Sequence, residues 1–222
     1  MNLFILIIAA IAFFTILTLL RKWKDLPVLI ATAIACAVNT NYYLNIDCPV
    51  NVGPFVFGVD ALIALMFVLI IMIIFVDYSA KQAMTVTINS CVAIVLAGVI
   101  EMFAVASTLG EFTFECVRPI LFYSITVAGS MIGCSLAIWL GIKMKNANKY
   151  LVLAITTLIA CVFHSVFYNV GYMLIEPEVL DNTSRFIGAI TGGLIEKVAL
   201  IPLGLLSYFI GSKVLKIQTS KN

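Results

Sequence analysis

Five ionisable side chains lie inside otherwise apolar runs of this chain: Asp60, Glu101, His164, Glu196 and Lys197. A charged residue at the centre of a membrane-spanning helix costs about 2.5–3.5 kcal/mol, and it persists where it is paired, hydrated or used. Carboxylates, an ammonium and an imidazole together can bind a polar solute, balance its charge or relay a proton. Glu196 and Lys197 pose the sharpest question, because helix neighbours diverge by about 100°. At least one of them must meet a partner on another helix. Pairing of Lys197 with Asp60 or Glu101 leaves Glu196 for a ligand, and the reverse assignment is equally consistent. A structural ion pair that fixes helix packing is the plainer alternative. The surrounding "GGLIEKVALIPLG" supplies Gly192, Gly193 and Gly204 for close backbone approach, and Pro202, which frees the Val198 carbonyl.

His164 stands in "CVFHSVFYN". Counting by four, Ala160, His164 and Tyr168 share a helix face that Tyr172 continues, with Phe167 and Asn169 beside it. Phe163, Phe167 and Tyr168 are suited to stack on a flat solute. Asn39 and Asn41, in "NTNYYLN", offer paired amide donors and acceptors to a heterocycle edge, or cap a helix. Ser165 beside His164 is no catalytic dyad, since sequence neighbours on a helix point apart. The chain has no phosphate-binding loop, nucleophile elbow or H-E-x-x-H motif, so it is not expected to be an enzyme. Its six cysteines lack zinc-site spacing, and no metal or cofactor is expected. Cys48 and Cys116 fall in loops on one side, where an oxidising habitat would allow a disulfide.

The elements that must position these groups are membrane helices. The 222 residues are 63% hydrophobic and 11% charged, too few polar side chains to cover a water-facing surface. A net charge of +2, with basic residues confined to short loops, argues against nucleic-acid binding. Apolar runs near 2–20, 26–44, 55–76, 84–106, 118–142, 150–174 and 186–212 predict an all-α polytopic bundle of about seven transmembrane helices. The continuous apolarity favours helices over barrel strands. The chain reads as one transmembrane domain over 1–222, with 1–20 as a peripheral first helix and 26–212 as a six-helix core. Ten basic residues fall on one side: Arg21, Lys22, Lys24, Lys81, Lys143, Lys145, Lys149, Lys213, Lys216 and Lys221. The positive-inside rule makes that side cytoplasmic, with the N-terminus outside and the C-terminus inside. On this topology Asp60 and Glu101 lie about one turn from the outer face, and His164 and Glu196–Lys197 lie near mid-membrane. The cytoplasmic half holds no comparable charge. The pattern predicts a polar cavity open to the outside and closed inside.

The layout resembles the vitamin uptake transporter family, whose members include carriers of queuosine precursors. "IATAIACAVNTNYYL" looks like the family's asparagine-bearing helix, and "VDYSAKQAM" occupies the place of its "E-x-Y-G-K-K-x-A" turn. "FECVRPILFYSITVAGSMIGCSLAIWLGIKMKN" resembles its arginine-led helix, and "LIACVFHSVFYNVGYML" stands where it has "S-x-L-x-D-x-x-x-F". "LIEKVALIPLGLLSYF" matches its final helix, with a lysine followed by a proline. The family's acidic "T-D" ahead of the basic turn is missing, and only Asp77 remains there. By this match Arg118, the His164–Ser165 position and Lys197 fall on functional polar positions. The resemblance implies a transporter in the cytoplasmic membrane of a bacterium, importing a small polar heterocycle through the outward-facing cavity. Its partners are then the small-molecule substrate and the lipid bilayer. One alternative is a substrate-binding subunit of an energy-coupling-factor transporter, with ATPase and scaffold subunits in trans. Another is a membrane sensor that binds the same ligand without moving it.

Overall fold

The computed structural model describes residues 50–52, 55–57, 59–144, 146–175 and 183–215, with scattered positions between 8 and 19. Apart from one small hairpin, the described chain is helical. Five helices follow in order: α1 Val59–Asp77, α2 Ala80–Leu109, α3 Phe114–Lys143, α4 Lys149–Ile175 and α5 Thr183–Leu215. Short connections join α1 to α2, α2 to α3 and α3 to α4, which makes these neighbours antiparallel. The described residues of the first apolar run, Ile8, Ile11, Ala12, Thr15, Ile16 and Leu19, are also helical. The Ile11 carbonyl accepts a hydrogen bond from Ser207 of α5 at 3.4 Å. The expected helix over 26–44 lies outside the described residues.

The hairpin corrects one sequence reading. Residues 55–57 were expected to open a helix, but Phe55–Phe57 forms strand β2, antiparallel to β1 Val50–Val52. The sequence between them is Gly53-Pro54. Proline disfavours helical backbone in the residue before it, and the flanking valines and phenylalanines favour extended chain. The helix begins only after Gly58.

Helix ends follow local chemistry. Ser79 caps α2, accepting from the Gln82 amide at 3.2 Å. Gly110 ends it with φ +73°, and its amide donates to the Ala106 carbonyl at 3.0 Å. That left-handed position suits glycine, and the helix stops there. Lys143, in the last turn of α3, lies 3.8 Å from the Trp139 ring.

Four described helices are long and apolar enough to cross a membrane: α2, α3, α4 over Lys149–Gly171 and α5 over Leu194–Lys213. In α1, Leu65 to Ile74 are all buried, ten residues in succession. A helix that is apolar and buried on every side belongs at the centre of a bundle. Within the bundle α3 packs most extensively on α4, and next on α2. Glycines make these seams close. Phe167 and Phe163 sit against Gly129, Phe163 against Gly133, and Phe75 against Gly141. Any β-carbon at these glycines would collide with its neighbour, so small residues set the interhelical distance.

Candidate functional site

Halfway along the bundle, α4 presents two adjacent polar residues to two different helices. His164 Nδ1 lies 3.0 Å from Ser130 Oγ of α3. Ser165 Oγ accepts from Lys197 Nζ of α5 at 2.8 Å. The divergence of helix neighbours is thus used to tie α4 to α3 on one side and to α5 on the other. His164, Ser165, Lys197 and the adjacent Glu196 are all buried, Lys197 to 4% exposure and Glu196 to 8%. These residues lie 13–16 positions past the first residue of their helices, about 20–24 Å from the helix start at 1.5 Å per residue.

The hydrogen-bond inventory limits what each group can do. Ser130 has one hydroxyl proton and two acceptors within reach, His164 Nδ1 and the Thr126 carbonyl at 3.1 Å. If the proton goes to the carbonyl, Nδ1 carries its own hydrogen and Nε2 is an acceptor. If it goes to Nδ1, Nε2 becomes the donor. The serine therefore couples the imidazole tautomer to one hydroxyl rotation. Lys197 has three donors, of which Ser165 takes one, and this directional bond fixes where the ammonium lies. Together these groups supply a cation, a carboxylate and a switchable donor or acceptor. That set can hold a small polar solute by its edge.

Nearer the end opposite the lysines, Tyr123 donates to Glu101 Oε2 at 2.8 Å, joining α3 to α2. Phe122 lies edge-on to Tyr168 at 5.1 Å, and Tyr168 lies 6.1 Å from the His164 ring. Aromatic rings thus lead from the Glu101 layer toward His164. The two layers are about 10 Å apart along α3, seven residues at 1.5 Å each. The structure brings His164, Glu196 and Lys197 into one layer and keeps Glu101 in another. Asn169 turns back onto its own helix, its Nδ2 donating to the Ser165 carbonyl at 2.8 Å. Phe167 packs on Gly129.

Arg118 lies farther out. Its guanidinium bonds Glu115 at 2.8 Å within the first turns of α3, about 18 Å along the helix from Ser130. Asp60 falls in the first turn of α1, with its side chain outside the described residues. Asn39, Asn41 and Cys48 also lie outside them. Cys116 is a buried free thiol, donating to the Glu111 carbonyl at 3.6 Å. Among the described residues no cluster of histidine, cysteine or carboxylate is suited to hold a metal.

Three partners were not read from the sequence: Ser130, Tyr123, and Ser165 as acceptor for Lys197. A lone hydroxyl in an apolar run carries no periodic signal. The basic end also corrects an expectation, since that half was read as free of comparable charge. Asp77, at the end of α1, is buried to 8% and accepts from Tyr208 of α5 at 2.5 Å. Its side chain turns into the bundle because the phenol offers it a donor there.

Comparison with known proteins identifies no relative: no family model, no curated protein and no solved structure matches the chain.

Proposed function

We propose that this chain is an integral membrane transporter that imports a small polar heterocyclic solute, of the class of queuosine precursors and vitamins. The observation that carries this reading is the buried contact of Lys197 with Ser165, beside Glu196 and His164, midway along membrane-length helices. Burying a charge is costly, and a protein whose only task is helix packing has cheaper apolar solutions. The resemblance of "LIEKVALIPLGLLSYF" and its companion segments to the vitamin uptake transporters favours the same reading.

In this account the end carrying Lys81, Lys143, Lys149 and Lys213 faces the cytoplasm of a bacterium. The solute enters from the opposite end, past Glu101 and Tyr168. Its ring-edge groups meet Glu196 and His164, and Lys197 balances charge. Ser130 and Ser165 orient the two basic groups.

A thermal-shift screen of the purified protein against queuine, its biosynthetic precursors and common vitamins tests the proposal. One of these is expected to raise the melting temperature of the wild type, and Glu196→Gln and Lys197→Met are expected to abolish that shift. Equal shifts in the wild type and both variants would remove these residues from the site.

A further inference from the structure

Below Lys197 the seam between α1, α4 and α5 runs toward the basic end and closes there. Lys197, Ile201, Gly204 and Tyr208 follow one another by four, three and four residues, so they form one stripe of α5, and all are buried. On α4 the stripe containing Ser165 continues through Cys161 and Thr157, all without exposed surface. Thr157 Oγ1 has no hydrogen-bond partner among the described residues. A polar step thus lies buried about 12 Å beyond Ser165, eight residues along the helix. Gly204 brings α5 directly against α1, where an added β-carbon would stand 2.5 Å from Leu69 Cδ2. One turn further, Tyr208 donates to Asp77 of α1 at 2.5 Å. Tyr150 of α4 stands edge-on to the Tyr208 ring at 5.7 Å, and the Lys149 ammonium is 5.4 Å from that ring. Three helices meet at this one phenol.

Pro202 lies between Lys197 and Tyr208. It has no amide hydrogen to give the Val198 carbonyl, so α5 is weakened between the ligand-facing lysine and the closing tyrosine. We propose that the Tyr208–Asp77 hydrogen bond, braced by Tyr150 and Lys149, is the cytoplasmic gate of the transport path. The segment of α5 beyond Pro202 swings away from α1 to open it. This inference rests on the transport reading and adds to it the element that seals the path beneath the site.

The natural thiol of Cys161 reports the gate without any substrate. It is fully buried and lies one turn from Ser165 on the seam. The full chain is prepared with Cys161 as its single cysteine and reconstituted in sealed vesicles. Its modification by a charged, membrane-impermeant thiol reagent is then timed from each side. Removal of one interhelical hydrogen bond shifts a closed-to-open balance about three- to twentyfold. Tyr208→Phe and Asp77→Asn are each expected to speed Cys161 labelling from the basic end by that factor. Tyr123→Phe, at the opposite end, leaves that rate unchanged. A second single-cysteine protein retaining Cys134, buried on α3, stays unreactive in all variants. Unchanged Cys161 labelling in Tyr208→Phe and Asp77→Asn overturns the gate. An equal rise at Cys134 also overturns it, because the variants have then loosened the whole bundle. Faster Cys161 labelling in a protein that moves no solute keeps the opening of this seam and refutes the transport reading instead.

Discussion

A tyrosine donates to a carboxylate near each end of the bundle, and the two pairs are built differently. Tyr123 reaches Glu101 across the α2–α3 seam, where Gly98 lets the tyrosine ring lie against the backbone of α2. Glu101 is only partly buried, so other polar groups can replace the phenol. Tyr208 reaches Asp77 across the α1–α5 seam, where both residues are buried. The comparison teaches that the same hydrogen bond carries different loads. At the first seam close packing holds the helices and the hydrogen bond is secondary. At the second, Gly204 packs as closely on Leu69, and the hydrogen bond differs in being buried at both its donor and its acceptor.

Substitutions can break or sharpen this contrast. The largest effect is expected from Gly98→Ala, whose β-carbon would stand 2.5 Å from the Tyr123 ring and 3.2 Å from the Ile120 backbone. Overpacking of this kind costs about 1–3 kcal/mol, read as a lower unfolding midpoint in detergent. Gly192→Ala, with no neighbour within 4 Å of the new carbon among the described residues, does not lower the midpoint. Next is Tyr208→Phe, which is expected to cost up to about 1.7 kcal/mol, the upper range for interhelical hydrogen bonds in membranes. Tyr123→Phe is expected to cost less, about 0.6 kcal/mol, the average for such bonds. If Tyr123→Phe proves more damaging than Tyr208→Phe in the same denaturation series, the contrast fails. The smallest effect is expected from Arg118→Gln. It removes a pair within one helix whose carboxylate is exposed and whose guanidinium is half-buried, and changes stability by about 0.5 kcal/mol.

Much of the helical frame was legible in the sequence, because spanning helices need long apolar runs. The runs at 84–106, 118–142, 150–174 and 186–212 each fall inside a described helix, and the helices extend beyond them into polar ends such as Lys81 and Lys213. The run at 55–76 was misread at its start, where Gly53-Pro54 and alternating valine and phenylalanine make a hairpin. The buried acids and bases were legible too, because a charge in an apolar run is conspicuous. Their partners were not. Tyr123 is 22 positions from Glu101, Ser165 is 32 from Lys197, and Tyr208 is 131 from Asp77. Such pairings depend on the rotation of each helix about its axis, and weakly amphipathic membrane helices leave that rotation unspecified. Asp77 stands just past the apolar run at 55–76, beside Tyr78 and Ser79, and only the tertiary fold turns it inward.

The central claim is that a solute crosses the bundle past Lys197 and Ser165. It is tested most directly by reconstituting the purified chain in sealed vesicles and measuring uptake of the solute with the largest thermal shift. The wild type is expected to accumulate that solute above protein-free vesicles, Ser165→Ala to do so several-fold more slowly, and Lys197→Met not at all. Uptake by folded Lys197→Met equal to that of the wild type would contradict the account.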